Sequence, residues 1–347
     1  PGKYGCVTAM QVKGLTCTLN LPAALKSRHG ADGEEQEWDL PPYAERAAFA
    51  VDEFPAAPTS WMRGSGTESS YFVPVKPEHG MWLDFNRNAR NTHDVAILVS
   101  VQGVNPLTGQ KTDKFRLEQY KENCPVHGKP FGQERFCEEC TFKWPGQNYL
   151  ATTGTPDRLL WLDGFRAKDG AVRQWVFTEE EMRGVAAQLI GAERVFAIGI
   201  TFFLSKEPKP VLPPSSYYPR AGSSFLSSDG SPHSFGADDI FLGAPSFDTI
   251  GSSEVGRSYK PAIRRAASGY SERSNAPTMP KRLEVAAGAR ISQQVYDDPK
   301  PVDYWQDEPA GVIFINYCDE ATAARIITAG RKDLTAGGEG FMDGLAV

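Results

Sequence analysis

The stretch "RVFAIGITFFLS" (residues 194–205) decides the fold of this chain. It is an almost continuous apolar run, rich in Phe and Ile, with the length of one strand. A half-buried strand alternates apolar and polar residues, whereas a run without alternation indicates a strand covered on both faces. We therefore expect residues 194–205 to form a strand that is buried on both faces.

Several shorter runs around it also have strand character. "SYFVPVKP" (70–77), "GMWLDFNR" (80–87), "HDVAILVSVQGV" (93–104) and "GVIFINY" (311–317) are rich in Val, Ile, Phe and Trp, and Gly, Asn and Pro separate them. "RLLWLDGFRAKDGAVRQWVFT" (158–178) predicts a hairpin that turns at Lys168-Asp169-Gly170. The expected fold is mostly β, with one or two β-sandwich or jelly-roll-like sheets, two short helices and a zinc-stapled loop.

The two helices are predicted from their end signals. Thr178 and Glu181 resemble a capping box at the start of "TEEEMRGVAAQLIG", and Gly191 suits its end. The second helix follows "GVIFINY", with Asp319 near its N-cap and Gly330 past its end.

Composition limits the function classes. The 347 residues carry a net charge of -6, with a pI near 5.5, 33 Gly and 26 Pro. A mildly acidic chain lacks the dense basic face that nucleic-acid binding needs, and no segment approaches the roughly 18 apolar residues of a membrane span. The N-terminus has neither a starting Met nor an apolar signal core, which predicts a trimmed or incomplete chain.

Changes in composition predict five regions. Residues 1–110 form an N-terminal β region, 111–150 a zinc-knuckle loop, and 151–205 the central hairpin, helix and buried strand. Residues 206–280 are a Ser/Pro/Gly-rich linker or insertion, interrupted by the apolar run "DDIFLGAPSFDTI" (238–250). Residues 281–347 return as strands and a helix that complete the sheet.

The clearest chemical motif is "CPVHGKPFGQERFCEEC" (124–140). Cys124 and His127 form one pair, Cys137 and Cys140 form a second, and nine residues separate the pairs. Three thiolates and one imidazole are a ligand set that zinc favours in tetrahedral geometry. The alternative is a surface loop with three free thiols and an unrelated His.

A structural zinc is expected, because protein side chains fill all four coordination positions. Pro125 and Gly128 suit the turn of the first pair, and we expect Phe136 to pack under the site. The loop then presents "TFKWPGQNY" (141–149) or fixes it against the sheet. Thiol ligands predict a reducing, cytoplasmic location, in which Cys6, Cys17 and Cys318 are small buried apolar residues.

Three other groups of residues are candidates for sites. His93 and Asp84 are paired as base and orienter in one interpretation, and are ordinary polar residues at strand ends in the other. Asp163 and Arg173 are expected to form an ion pair across the hairpin. The five carboxylates of "YDDPKPVDYWQDEP" are interpreted as a solvated acidic loop rather than a calcium site: Asp297, Asp298, Asp303, Asp307 and Glu308.

Three blocks resemble a family of uncharacterised bacterial and fungal proteins. "WLDGFRAKDGAVRQWVF" (161–177) is similar to a W-L-D-G…V-R-Q-F-V block, and "AAGARISQQVYDDPKPVDYW" (286–305) to an A-A-G-G-R-x-x-Q-x-I-Y-x-D-P…W block. "VSVQGVNPLTGQ" (99–110) resembles a third block upstream. The resemblance implies that residues 80–330 share one architecture, in which the Cys/His loop is an insertion. It implies no catalytic residue.

Two functions from different classes remain. The first is a non-enzymatic structural or interaction protein that assembles with itself or docks on a larger complex, because no catalytic motif is found and the β pattern is rich in aromatic residues. The second is an enzyme or small-ligand binder with a site at the sheet mouth. That site requires Asp84, His93, Asp163 and Arg173 to converge on one pocket.

Overall fold

The computed structural model describes residues 5–39, 42–112, 115–210 and 282–338, with side chains described as far as residue 330. The strands are β1 Cys6–Val7, β2 Ala9–Val12, β3 Leu15–Asn20, β4 Arg28–His29, β5 Glu35–Gln36, β6 Ala48–Ala50, β7 Glu68–Val75, β8 Gly80–Asp84, β9 His93–Val101, β10 Phe136–Cys137, β11 Phe142–Lys143, β12 Leu150–Ala151, β13 Trp161–Leu162, β14 Gly164–Arg166, β15 Val172–Thr178, β16 Ala197–Pro208, β17 Glu284–Ile291 and β18 Gly311–Asp319. The helices are α1 Val185–Ile190 and α2 Glu320–Gly338.

The first large sheet has seven strands in the order β1-β6-β7-β18-β16-β9-β12. β16 lies between β9 and β18 and is antiparallel to both. Both of its faces are covered, as predicted. Ile200 belongs to the main core, whereas Phe203 packs in a separate cluster with Tyr149 and Trp305.

The second large sheet has the order β14-β15-β8-β3-β2, with β13 on β8 and β17 on β15. β14 and β15 form the predicted hairpin. Its turn is closed by the Gly170 amide, which donates to the Ala167 carbonyl at 3.0 Å. Gly170 has a φ of 88°, a left-handed conformation that favours glycine.

The two large sheets enclose one hydrophobic core, as expected for a sandwich. Its side chains come from both sheets and are almost completely buried. They include Met10, Leu83, Trp175, Phe177, Ile97, Ile198, Ile200 and Ile315. The predicted fold class, mostly β with two helices and a Cys/His loop, is therefore confirmed.

The helix ends differ in part from the prediction. Thr178 ends β15 instead of capping a helix, because its backbone pairs with Glu284 of β17; α1 begins only at Val185. Gly191 ends α1 with a φ of 57°, as predicted. Asp319 caps α2 by accepting the Thr322 amide at 2.9 Å, but α2 continues past Gly330 to Gly338.

One of the predicted region boundaries falls inside a strand of the structure. β16 continues to Pro208, so the region predicted from residue 206 begins inside a strand. Residues 211–281, including the apolar run 238–250, lie outside the described residues. Apart from Pro210, the described residues before and after that segment belong to one compact unit. Among the described residues, no helix is long and apolar enough to cross a bilayer.

Candidate metal centre

The four predicted ligands come together in one loop, residues 111–150, which we call the metal loop. One ligand atom from each of Cys124, His127, Cys137 and Cys140 lies within 4.8 Å of the others. His127 Nδ1 is 3.7 Å from Cys124 Sγ, 3.6 Å from Cys137 Sγ and 3.3 Å from Cys140 Sγ. Tetrahedral bonds of about 2.3 Å to sulfur and 2.0 Å to nitrogen place ligand atoms roughly 3.6–3.8 Å apart. The group could therefore bind a metal ion.

The first ligand pair sits on a tight turn. The Gly128 amide donates to the Cys124 carbonyl at 2.8 Å, and the Cys124 amide donates to the Lys129 carbonyl at 2.8 Å. Gly128 has a φ of 68°, which agrees with its predicted role in the turn. This closed turn points Cys124 Sγ and His127 Nδ1 toward the same point.

The second pair sits on a short hairpin formed by β10 and β11, in which Cys137 pairs with Phe142. The Cys140 amide donates to the Cys137 sulfur, and with further hydrogen bonds from His127 and Cys124 it lowers the pKa of Cys137 to about 6. Burial, together with the sulfurs of Cys124 and Cys137, raises the pKa of Cys140 to about 12. The thiols are thus chemically unequal before any metal binds.

Aromatic rings pack against this centre, but the predicted ring, that of Phe136, is not among them. Phe136 is 38% exposed and points away from the cluster. The buried side of the centre contacts Tyr120 and Trp144, whose ring centroids are 5.1 Å apart, with Phe131 and Phe142 beside them. Phe136 alternates with Cys137 along β10, so a buried Cys137 leaves Phe136 on the outer face.

The metal loop is fixed to two other parts of the sandwich. The Lys143 amide donates to the Lys168 carbonyl at 2.8 Å, and Arg166 Nε donates to the Lys143 carbonyl at 3.0 Å, which ties the loop to the β14–β15 hairpin. Arg135 pairs with Asp297, in the segment that follows β17. The segment 141–149 is thus held against the body of the protein.

The metal loop also forms one wall of a cleft of about 750 Å³, which we call the metal-loop cleft. Pro125 and Tyr120 of the loop face Val302 and Trp305 across it. Val126, next to the first ligand pair, is 54% exposed. A single exposed apolar side chain is common on protein surfaces, so the cleft rather than Val126 alone makes this surface a candidate for recognition.

The other predicted site does not assemble. Asp84 belongs to β8 in the second large sheet, where its carboxylate accepts the Asn86 amide at 2.8 Å. His93 begins β9 in the first large sheet, and its ring contacts the Thr92 hydroxyl at 3.2 Å. No hydrogen bond joins the two side chains in the described part of the chain, so the interpretation of both as ordinary polar residues at strand ends is favoured.

The predicted ion pair between Asp163 and Arg173 is wrong. Arg173 donates to Glu35 at 2.7 Å. Asp163 is fully buried, and neither of its carboxyl oxygens has a hydrogen-bond partner in the described parts of the chain. Burial raises its pKa well above the ordinary value of 3.8.

The acidic loop is not wholly solvated, because Asp298 is buried. Its carboxylate accepts hydrogen bonds from the Tyr149 hydroxyl at 2.7 Å, the Trp305 indole at 3.0 Å and the Lys300 amide at 2.9 Å. The Thr153 hydroxyl donates to it as well, at 2.5 Å. The sequence offered one signal for this role, since Asp298 stands in a run that also supplies a Trp.

The three cysteines outside the metal loop differ in burial. Cys17 and Cys318 are buried, as predicted, but Cys6 is exposed on the two-residue strand β1.

No protein-family model, no curated protein and no solved structure matches this chain. The resemblance of the three sequence blocks therefore stays a prediction.

Proposed function

We propose that this protein is a non-enzymatic interaction protein, which assembles with itself or docks on a larger complex through a surface that a structural Zn²⁺ holds in shape. The observation that carries the proposal is the position of the metal loop. Its centre fixes one wall of the metal-loop cleft and displays Val126 beside it. A rigid apolar element loses little entropy on binding, which favours recognition.

Zinc is the metal that the ligand chemistry favours. Three thiolates and one imidazole suit Zn²⁺, whereas calcium and magnesium require oxygen ligands. Cys124, His127, Cys137 and Cys140 would fill a tetrahedron, and a filled tetrahedron has no position for a reacting water. The metal would therefore contribute folding energy to the loop rather than catalysis. Thiolate ligands are consistent with a reducing compartment, and we propose the cytoplasm.

A protein partner fits this surface better than a nucleic acid. Lys129 pairs with Glu139 and Lys143 with Glu134, while Arg116 pairs with Glu118 at 2.7 Å. Basic side chains that are already neutralised locally release few counterions from a phosphate backbone.

Native mass spectrometry tests the metal. We expect one zinc per chain, lost in Cys137→Ser and retained in Cys6→Ser, whose thiol is exposed outside the metal loop. A chain that carries no zinc after purification in zinc-containing buffer would contradict the metal assignment.

Light scattering tests the interaction. We expect a concentration-dependent multimer that Val126→Asp dissociates, because a charge cannot be buried unpaired in an interface. Met182→Asp is the matched control, since Met182 is 83% exposed and lies outside the metal loop. A monomer at high protein concentration, with no partner recovered from cell extract, would overturn the proposed function.

A further inference from the structure

A second cavity lies where β16 begins and β18 ends, away from the metal loop. Its volume is about 290 Å³, close to the lower end of the range for small-molecule sites. Its lining is mainly apolar, with a few polar groups, and includes Trp61, Met62, Phe196, Leu283, Tyr317 and Arg282. We call it the Tyr317 cavity.

The apolar walls are partly open to water. Leu283 is almost completely buried, and the Trp61 ring is fixed against Phe72 with centroids 5.3 Å apart. Met62 and Val195, in contrast, are 39% and 47% exposed. A pocket with fixed apolar walls and a partly exposed apolar rim suits a ligand with a compact apolar body.

Tyr317 contributes its aromatic body to this wall. Tyr317 is 6% exposed, and its ring packs on Phe177 at 5.1 Å. Its hydroxyl oxygen is inaccessible to solvent and lies near the side chains of Gln102 and Glu284. A ligand in the cavity therefore meets an apolar surface here and gains no hydrogen bond from Tyr317.

The charge at the cavity is positive and only partly neutralised. Two guanidinium groups lie over Phe196, that of Arg194 at 5.3 Å and that of Arg282 at 5.2 Å from the ring centroid. Arg194 is paired with the buried Glu284 at 3.0 Å. Arg282 is exposed, and within the described ranges no carboxylate pairs with it. One positive charge thus remains for a ligand.

We infer that the Tyr317 cavity binds a small monocarboxylate with an aromatic or branched apolar body. The carboxylate pairs with Arg282, and the body packs against Trp61 and Phe196. This site is independent of the proposed interaction surface.

The same groups argue against a phosphate. A dianion needs several donors, whereas among the described residues of this wall only Arg282 is an unpaired cation. The carboxylate of Glu284 lies close enough to Tyr317 to contribute, after burial, to raising its pKa, and it would repel a second negative charge. A monoanion meets less of that repulsion.

The test uses 3-phenylpropanoate as the probe and its neutral amide, 3-phenylpropanamide, as the matched control compound. Calorimetric titration into the full chain should show saturable binding of the acid at one site, and binding of the amide weaker by about tenfold or more. In NMR spectra, the Trp61 indole signal should shift with the same saturation curve. Absence of saturable binding, or equal binding of acid and amide, would overturn the inference.

Three variants locate the site. Arg282→Gln should lower the affinity for 3-phenylpropanoate by about tenfold or more. Arg116→Gln, which changes an exposed arginine at the metal-loop cleft, should leave that affinity unchanged. Tyr317→Phe should leave the affinity for the acid unchanged, because the hydroxyl is not accessible from the cavity. Equal affinity in the Arg282 and Arg116 variants would refute the assignment.

Discussion

The guanidinium of Arg135 binds the carboxylate of Asp297, although 162 residues separate them along the chain. Arg135 precedes the second ligand pair, and Asp297 precedes the buried Asp298. The contact therefore links the metal loop to the segment whose hydrogen bonds hold Tyr149 and Trp305.

Replacing Arg135 with Gln tests this link. The pair is partly exposed, so we expect a loss of less than about 1 kcal/mol in the free energy of unfolding. Amide hydrogen exchange should nevertheless speed up in residues 136–146. Lys129→Gln, which breaks an exposed pair inside the metal loop, is the control and should leave exchange in residues 296–300 unchanged.

Asp298→Ala should be one of the most damaging single changes in the protein. It leaves the buried Tyr149 hydroxyl and the Trp305 indole without their acceptor, and each unpaired donor costs about 1–3 kcal/mol. Urea unfolding should show a loss of about 3 kcal/mol or more. Asp303→Ala, in the same acidic loop but exposed, should change stability by less than about 0.5 kcal/mol. Similar losses in the two variants would contradict the buried network.

Because Asp163 is buried, we expect its contribution to the free energy of unfolding to fall as pH rises. Its pKa is raised by burial, so the unfolded chain loses this proton from about pH 4 upward while the folded chain keeps it. Each pH unit in that window costs up to about 1.4 kcal/mol. We therefore expect the free energy of unfolding of Asp163→Asn, measured with urea, to rise relative to that of the native chain as pH increases from 4.5 to 7.5. For Asp169→Asn, in the exposed hairpin turn, the difference in free energy of unfolding from the native chain should not change with pH.

The Asp319 cap predicts the opposite pH dependence. Burial acts to raise its pKa, but hydrogen bonds from Thr322 outweigh that effect and lower it below the ordinary value of 3.8. The cap therefore contributes stability above that value, which is lost as pH falls through the folded-state pKa. Asp319→Ala should cost about 1 kcal/mol at pH 7 by thermal or urea unfolding. Glu320→Ala, which removes only an exposed pair with Lys76, should cost clearly less.

The sequence predicted what local patterns encode. The unbroken apolar run around Ile200 indicated a strand covered on both faces, and the Cys124 and Cys137 pairs indicated one cluster of ligands. Partners distant in sequence were not predictable in this way. Arg173 binds Glu35 rather than Asp163, because strand register, not proximity in the chain, sets which side chains meet.

The burial of single polar residues could not be predicted from the sequence either. Asp298 lies in a run of carboxylates that resembles a solvated loop, and only the tertiary structure brings the Tyr149 hydroxyl to it. Thr178 has the residue type of a helix cap, but pairing with β17 overrides that local preference. The Tyr317 cavity has no sequence signature, since Trp61, Phe196 and Arg282 come from three separate regions.

Strand β18 lies between β7 and β16, and its pairing with β7 is parallel. During synthesis, residues 68–75 and 197–208 leave the ribosome long before residues 311–319. Until then, the inner edges of β7 and β16 have no strand between them, and exposed edges can pair with other chains. A nascent chain at this stage would need protection from a chaperone, and a ribosome that stalls before residue 311 would release a product prone to aggregate.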